Sequence, residues 1–183
     1  MSSRVAAAID LLSRWQPPND EQARLRDEYV AHLRAQAVAN CDALSRECLP
    51  DHLTAGVLVV SQDGRRVLLN LHRKAKRWFA FGGHIEDDDA SLPSAAVREG
   101  REESGIDDLV LDREPVHLSA HEVPFCHPSR TVRHLDVRFV ARVPAGTEGA
   151  LSDESLDVRW FDVEELPTDE PDMVELIDLA LRI

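Results

Sequence analysis

The sequence predicts a mixed α/β fold preceded by a helical arm. Three observations carry this. Apolar residues recur at helical spacing as far as residue 39. From His52 onward the pattern changes to short runs rich in Val and Leu, bounded by turn signals. One well-capped helix interrupts those runs between Ser91 and Gly105, so strands precede and follow it. With 183 residues, the chain reads as one domain with an appendage, the arm spanning 1–50 and the domain 51–183.

Val5, Ala6, Ile9, Leu11 and Leu12 suit a short amphipathic helix over 3–14, which Pro17 and Pro18 stop. Asn19 or Asp20 can cap a second helix over 20–39, with Leu25, Tyr29, Leu33 and Ala37 on its apolar side. Residues 42–48 read as a further helical turn. The arm either packs on the core that follows, builds a dimer interface or forms part of a substrate lid. Residues 53–60 form a buried strand, Gln62-Asp63-Gly64 a turn, and 66–71 the hairpin partner. The segment 72–77 carries four basic residues in an acidic chain, either a solvated loop or a patch that steers phosphates. Trp78 to Phe81 leads as a short strand into a loop opened by Gly82-Gly83.

Beyond the capped helix, 109–111 and 116–123 read as strands and 124–130 as a loop. Residues 131–143 form a long strand whose alternation puts His134, Asp136 and Arg138 on one face. That face is either a pocket or simply wet. Residues 158–161 give a last strand, and a terminal helix from Pro171 turns Met173, Leu176, Ile177, Ala180 and Leu181 inward. The spacing of His117, His121 and His127 does not define a zinc site.

The net charge of −13 argues against a nucleic-acid surface. It leaves room for a small phosphorylated substrate, because a bound cation inverts the local sign. Three cysteines without metal-type spacing read as reduced thiols in a cytoplasmic protein. No run of residues is apolar enough for a membrane span or a signal peptide.

The capped helix holds the chemistry. Ser91 is its N-cap, Pro93 lies in its first turn, and Gly105 takes the left-handed stop. Leu92, Ala95 and Ala96 face inward. Glu99, Glu102 and Glu103 share one face, where like charges repel. Arg98 can pair with Glu102. A solvated acidic face is the ordinary reading of such a trio. The adjacent glycines, which let backbone approach an ion closely, favour a divalent cation instead.

The stretch from Gly83 to Ile106 resembles the Nudix box. Arg98-Glu99, Glu102-Glu103, Gly105 and Ile106 match in register. Asp89 replaces the early Glu, the spacer from Asp89 to Arg98 holds eight residues, one more than the pattern, and Gly100 stands where an aliphatic residue is expected. Gly100 should weaken the helix by about 1 kcal/mol. The resemblance implies an α/β/α sandwich with a mixed sheet. It also implies metal-dependent hydrolysis of a phosphoanhydride in a nucleoside diphosphate linked to another moiety, with Mg²⁺, or Mn²⁺ as an alternative. On that basis Glu99, Glu102 and Arg98 are the catalytic candidates. The metal candidates are Glu99, Glu102, Glu103, the Gly82 carbonyl and Glu154, with Asp153 and Asp136 as rivals to Glu154. Arg73, Lys74, His84, His134 and Asp136 are the candidate contacts to a small, nucleotide-like substrate, and a homodimer is compatible with the arm. Two alternatives stand beside this: a module on the same fold that senses a nucleotide without cleaving it, and a diphosphate isomerase using Cys126.

Overall fold

The computed structural model describes residues 2–153 and 155–183, with Phe125 described by its backbone alone. Two helices come first, α1 (Ser3–Arg14) and α2 (Asp20–Val38). Ser2 and Asn19 cap them, each side chain accepting a backbone N–H of the first turn. Residues 42–48 form tight turns rather than the expected helix, with Ser45 N–H donating to Asp42 O and Cys48 N–H to Ser45 O. Those turns bring Cys41 and Cys48 to a Cα separation of 5.8 Å and a disulfide joins them. The reading of three reduced thiols is therefore corrected, and only Cys126 is free among the described residues.

The strands are β1 (Asp51–Ser61), β2 (Arg66–His72), β3 (Trp78–Phe79), β4 (Phe81–His84), β5 (His117–His127), β6 (Arg130–Val143) and β7 (Ser155–Asp162). They form one mixed sheet ordered β3-β2-β1-β6-β5, with β7 on β2 and β4 on β1. β1 runs parallel to β6 along its whole length, and the other pairings are antiparallel. Expectation and structure part at three places. Gly82 and Gly83 lie within β4, paired with Gly56 and Ala55, rather than in a loop. Residues 109–111 make a single bridge, Leu111 to Ala141, instead of a strand. Residues 124–127 continue β5 past an irregularity and turn directly into β6.

Helices cover both faces. Leu53 and Ala55 of β1 share a core with α1, α2 and α3 (Leu92–Ser104), while Leu58 and Val60 pack on α4 (Pro171–Ala180). The arm thus packs on the sheet. It also covers the edge strand: Gln22 exchanges two hydrogen bonds with the Leu118 backbone, and the buried Tyr29 hydroxyl donates to Ser119 O at 2.6 Å. The outward-facing N–H and C=O of Leu118 on this edge are satisfied this way.

Candidate functional site

Local signals set the helix that carries the glutamates. Ser91 caps α3 reciprocally with Ser94, Pro93 lies in the first turn, and Gly105 ends the helix at φ 69°. Leu92, Ala95 and Ala96 are buried. Gly100 has a packing role: a Cβ there would stand 2.6 Å from Val57 Cγ1 and 2.9 Å from Leu109 Cδ1. The missing side chain lets α3 press onto β1.

That approach brings α3 against β4. The Gly82 N–H donates to Glu103 Oε2 at 2.8 Å. A Cβ on Gly83 would lie 2.7 Å from Glu99 Oε1, so only glycine lets this carboxylate rest against the strand. Gly82 answers to a second close approach, since its Cβ would fall 2.7 Å from Gly56 Cα. Glu103 is buried and the Glu99 side chain is 14% exposed, whereas that of Glu102 is 59% exposed. Arg98 holds the group in place. Its guanidinium meets Glu99 at 3.0 Å, Glu102 at 3.1 Å and Asp89 at 2.9 Å, and donates to His84 O at 2.8 Å. Glu86 stands 3.9 Å away. Burial acts to lower the Arg98 pKa, but the Asp89 hydrogen bond and Glu99 outweigh it and raise it, so the cation is permanent.

Four carboxylates around one guanidinium, with Glu103 beside them, leave an excess of negative charge. Oxygen donors of this kind suit a hard divalent ion. Asp89, read in the sequence as a departure from the box, is buried and anchors Arg98 while also accepting the Glu86 N–H at 2.8 Å. Arg4 from α1 braces the same acidic loop, donating to Glu86 O at 2.6 Å and Asp87 O at 3.1 Å. Neither Arg4 nor Glu86 was singled out by the sequence, because the contact joins segments 82 residues apart.

The remaining candidates divide. His84, His134 and Asp136 come together on the sheet face opposite α3. Asp136 is held there by Arg138 at 2.8 Å and by the Thr54 hydroxyl. Burial pushes its pKa up, but Arg138, His121 and Thr54 prevail and hold it at about 2. Arg138 also reaches Asp172 at 2.5 Å, tying β6 to the start of α4. Arg73 spends two donors on the Asp153 and Ser155 carbonyls, and Lys74 is exposed in the turn after β2. Asp153 is exposed in the turn before β7, and Glu154 lies outside the described residues.

The NUDIX domain family model matches residues 50–180. No curated protein matches this sequence closely enough to count as a relative. Among solved structures, the dihydroneopterin triphosphate pyrophosphohydrolase of E. coli superimposes with a TM-score of 0.59 at 22% identity, covering 72% of this chain and 96% of that one. A NUDIX-family hydrolase from Clostridium perfringens gives 0.56 at 25% identity, covering 70% and 95%. The NUDIX domain of Shewanella oneidensis NrtR, solved with ADP ribose, gives 0.59 at 20% identity, covering 81% and 96%. With the family model spanning most of its length and the box residues gathered on α3 and β4, the chain belongs to the Nudix family.

Proposed function

We propose that this chain hydrolyses the pyrophosphate linkage of a nucleoside diphosphate joined to another moiety, using Mg²⁺ or Mn²⁺ held by Glu99, Glu102 and Glu103. Membership of the family makes the general class that of an enzyme acting on phosphoanhydride bonds. One observation carries the finer reading: Glu99 and Glu103 are packed against the Gly82-Gly83 backbone, and a single arginine aligns Glu99 with Glu102. Divalent cations at such a site neutralise phosphate oxygens and make bound water a stronger nucleophile. The residues themselves supply position. Arg98 fixes the carboxylates of Glu99 and Glu102 through charged hydrogen bonds. Asp89 fixes Arg98 in turn. The Gly82 N–H holds Glu103, so the carboxylates do not have to reorganise when substrate arrives. Glu99 or a loop acid is the candidate base that would take the proton of the attacking water. Asp136, neutralised by Arg138, lines the opposite sheet face rather than the acidic cluster. The neighbours described as acting on dihydroneopterin triphosphate or holding ADP ribose support a nucleotide-like substrate.

The test is turnover by the Glu102→Gln/Glu103→Gln double variant, read as phosphate and pyrophosphate release from nucleoside triphosphates, ADP-ribose and dinucleoside polyphosphates. The folded variant should lose Mg²⁺-dependent turnover by at least about 100-fold, as expected when a group stabilising transition-state charge is removed. Retained turnover would remove the site. Tight binding by the wild-type chain, with no product released from any substrate class, would turn the reading to nucleotide sensing.

A further inference from the structure

Three imidazoles and the free thiol converge on the sheet face away from the acidic cluster. His52 comes from β1, His84 from β4, His134 from β6 and Cys126 from the end of β5. The parallel register sets His52 beside His134, and β4 brings His84 across from Thr54, two residues along the same strand from His52. The three rings form a nearly equilateral group, with centroids 5.1, 5.0 and 5.0 Å apart. Each turns its Nε2 to the same sulfur: Cys126 Sγ lies 3.3 Å from His134, 3.4 Å from His84 and 3.9 Å from His52. All four donor atoms fall within 4.8 Å of one another.

We propose that His52, His84, His134 and Cys126 form a structural site for a borderline-soft divalent cation, Zn²⁺, separate from the acidic site on α3. The distances match. Bonds of about 2.3 Å to sulfur and about 2.0–2.1 Å to nitrogen, arranged tetrahedrally, place sulfur about 3.5 Å from each nitrogen. The three sulfur–nitrogen distances scatter around that figure. Imidazole and thiolate are the donors zinc prefers over magnesium, which takes oxygen. His52 is fully buried, its Nδ1 has no hydrogen-bond partner among the described residues, and its Nε2 faces the sulfur.

On binding, the Cys126 S–H bond breaks, its proton goes to solvent, and the thiolate electron pair forms the S–Zn bond. The three imidazoles bind as neutral donors. No oxidation state changes. Four protein ligands close the coordination shell, which fits a structural role and not a catalytic one. The mechanical effect falls on β4. His84 follows Gly83 directly, and its carbonyl accepts from Arg98. Pinning the His84 ring to β1, β6 and the end of β5 therefore steadies the strand against which Glu99 and Glu103 rest.

The test uses the intact chain with its Cys41–Cys48 bond in place. Zinc content by mass spectrometry should be equimolar with protein after purification without chelator. Exchange for Co²⁺ should produce the thiolate-to-cobalt charge-transfer band and the intense visible bands of a tetrahedral site. Cys126→Ser should lose the charge-transfer band, and EDTA should lower the melting temperature of the wild type far more than that of the variant. Glu99→Gln/Glu103→Gln should keep the band, which separates this site from the hydrolase reading. A folded wild type that shows no sulfur-ligated Co²⁺ at excess cobalt overturns the proposal, as does a band that survives in Cys126→Ser. Should that variant not fold, the wild-type spectrum decides alone, because Cys126 is the free thiol among the described residues.

Discussion

Gly100→Ala sets helix propensity against packing. On an exposed helix this change gains about 1 kcal/mol, since alanine loses less backbone entropy than glycine. Gly100 is buried where α3 crosses β1. The added Cβ would lie 2.6 Å from Val57 Cγ1 and 2.9 Å from Leu109 Cδ1. Val57 is fully buried in β1, held by β6 on one side and β4 on the other, and its branched side chain has few rotamers to escape to. Leu109, in the segment after α3, yields more readily. Overpacking a core by one methyl typically costs about 1–3 kcal/mol. Taking about 2 kcal/mol against the gain of about 1 leaves a net loss of about 1 kcal/mol. For a chain of this length that is a fall in melting temperature of about 2–4 °C. Urea unfolding followed by circular dichroism, with unchanged slope, measures it. A variant more stable than wild type by about 1 kcal/mol, the propensity value, would refute the claim that this glycine sets the helix–sheet distance.

Gly83→Ala tests the same interface at the site. The displaced atoms belong to the end of the Glu99 side chain, so stability should change by less than about 1 kcal/mol while divalent-cation-dependent turnover falls at least about tenfold, a carboxylate having been moved out of register; equal turnover in the variant would separate Glu99 from the chemistry. Tyr29→Phe removes a buried hydrogen bond to the Ser119 carbonyl and should cost about 0.5–1.5 kcal/mol in urea unfolding, with no loss meaning that this bond does not hold the arm on the sheet. Acid should act through Asp136. Its carboxyl sits at about 2 in the folded chain against an ordinary 3.8, so its stabilisation is full above pH 3.8 and disappears as pH falls through 2. The difference is worth about 2–3 kcal/mol. Unfolding measured between those limits should show a shallower pH slope in Asp136→Asn, and identical slopes would contradict the Arg138 pairing.

The glutamate helix was legible because its signals are local. Ser91, Pro93 and Gly105 mark both ends within the segment itself, and the three glutamates fall on one side by periodicity alone. Gly82 and Gly83 misled for the same reason. Two glycines have loop propensity, and only their pairing with Gly56 and Ala55, far back in the chain, makes them a strand. Residues 124–127 were similarly drawn into β5 by β6, against the local pull of Pro124. Alternation in 131–143 correctly put His134, Asp136 and Arg138 on one face, yet their partners Thr54 and Asp172 come from distant segments. The Cys41–Cys48 bond depends on turns that no spacing announces. The histidine–cysteine group is the extreme case: its members stand at 52, 84, 126 and 134, the register uniting the histidines and the irregular end of β5 adding Cys126. Gly100 looked like a weakness in the helix until the distance to Val57 showed what it makes room for.

Binding of Mn²⁺ followed by its paramagnetic resonance spectrum addresses the acidic site most directly, because it reads the ion without needing a substrate. Wild-type chain should remove Mn²⁺ from the free-ion signal, and the Glu99→Gln/Glu103→Gln variant, folded by circular dichroism, should leave it free at the same concentrations. Equal uptake of Mn²⁺ by both proteins would mean that the glutamates packed on Gly82-Gly83 do not hold the cation.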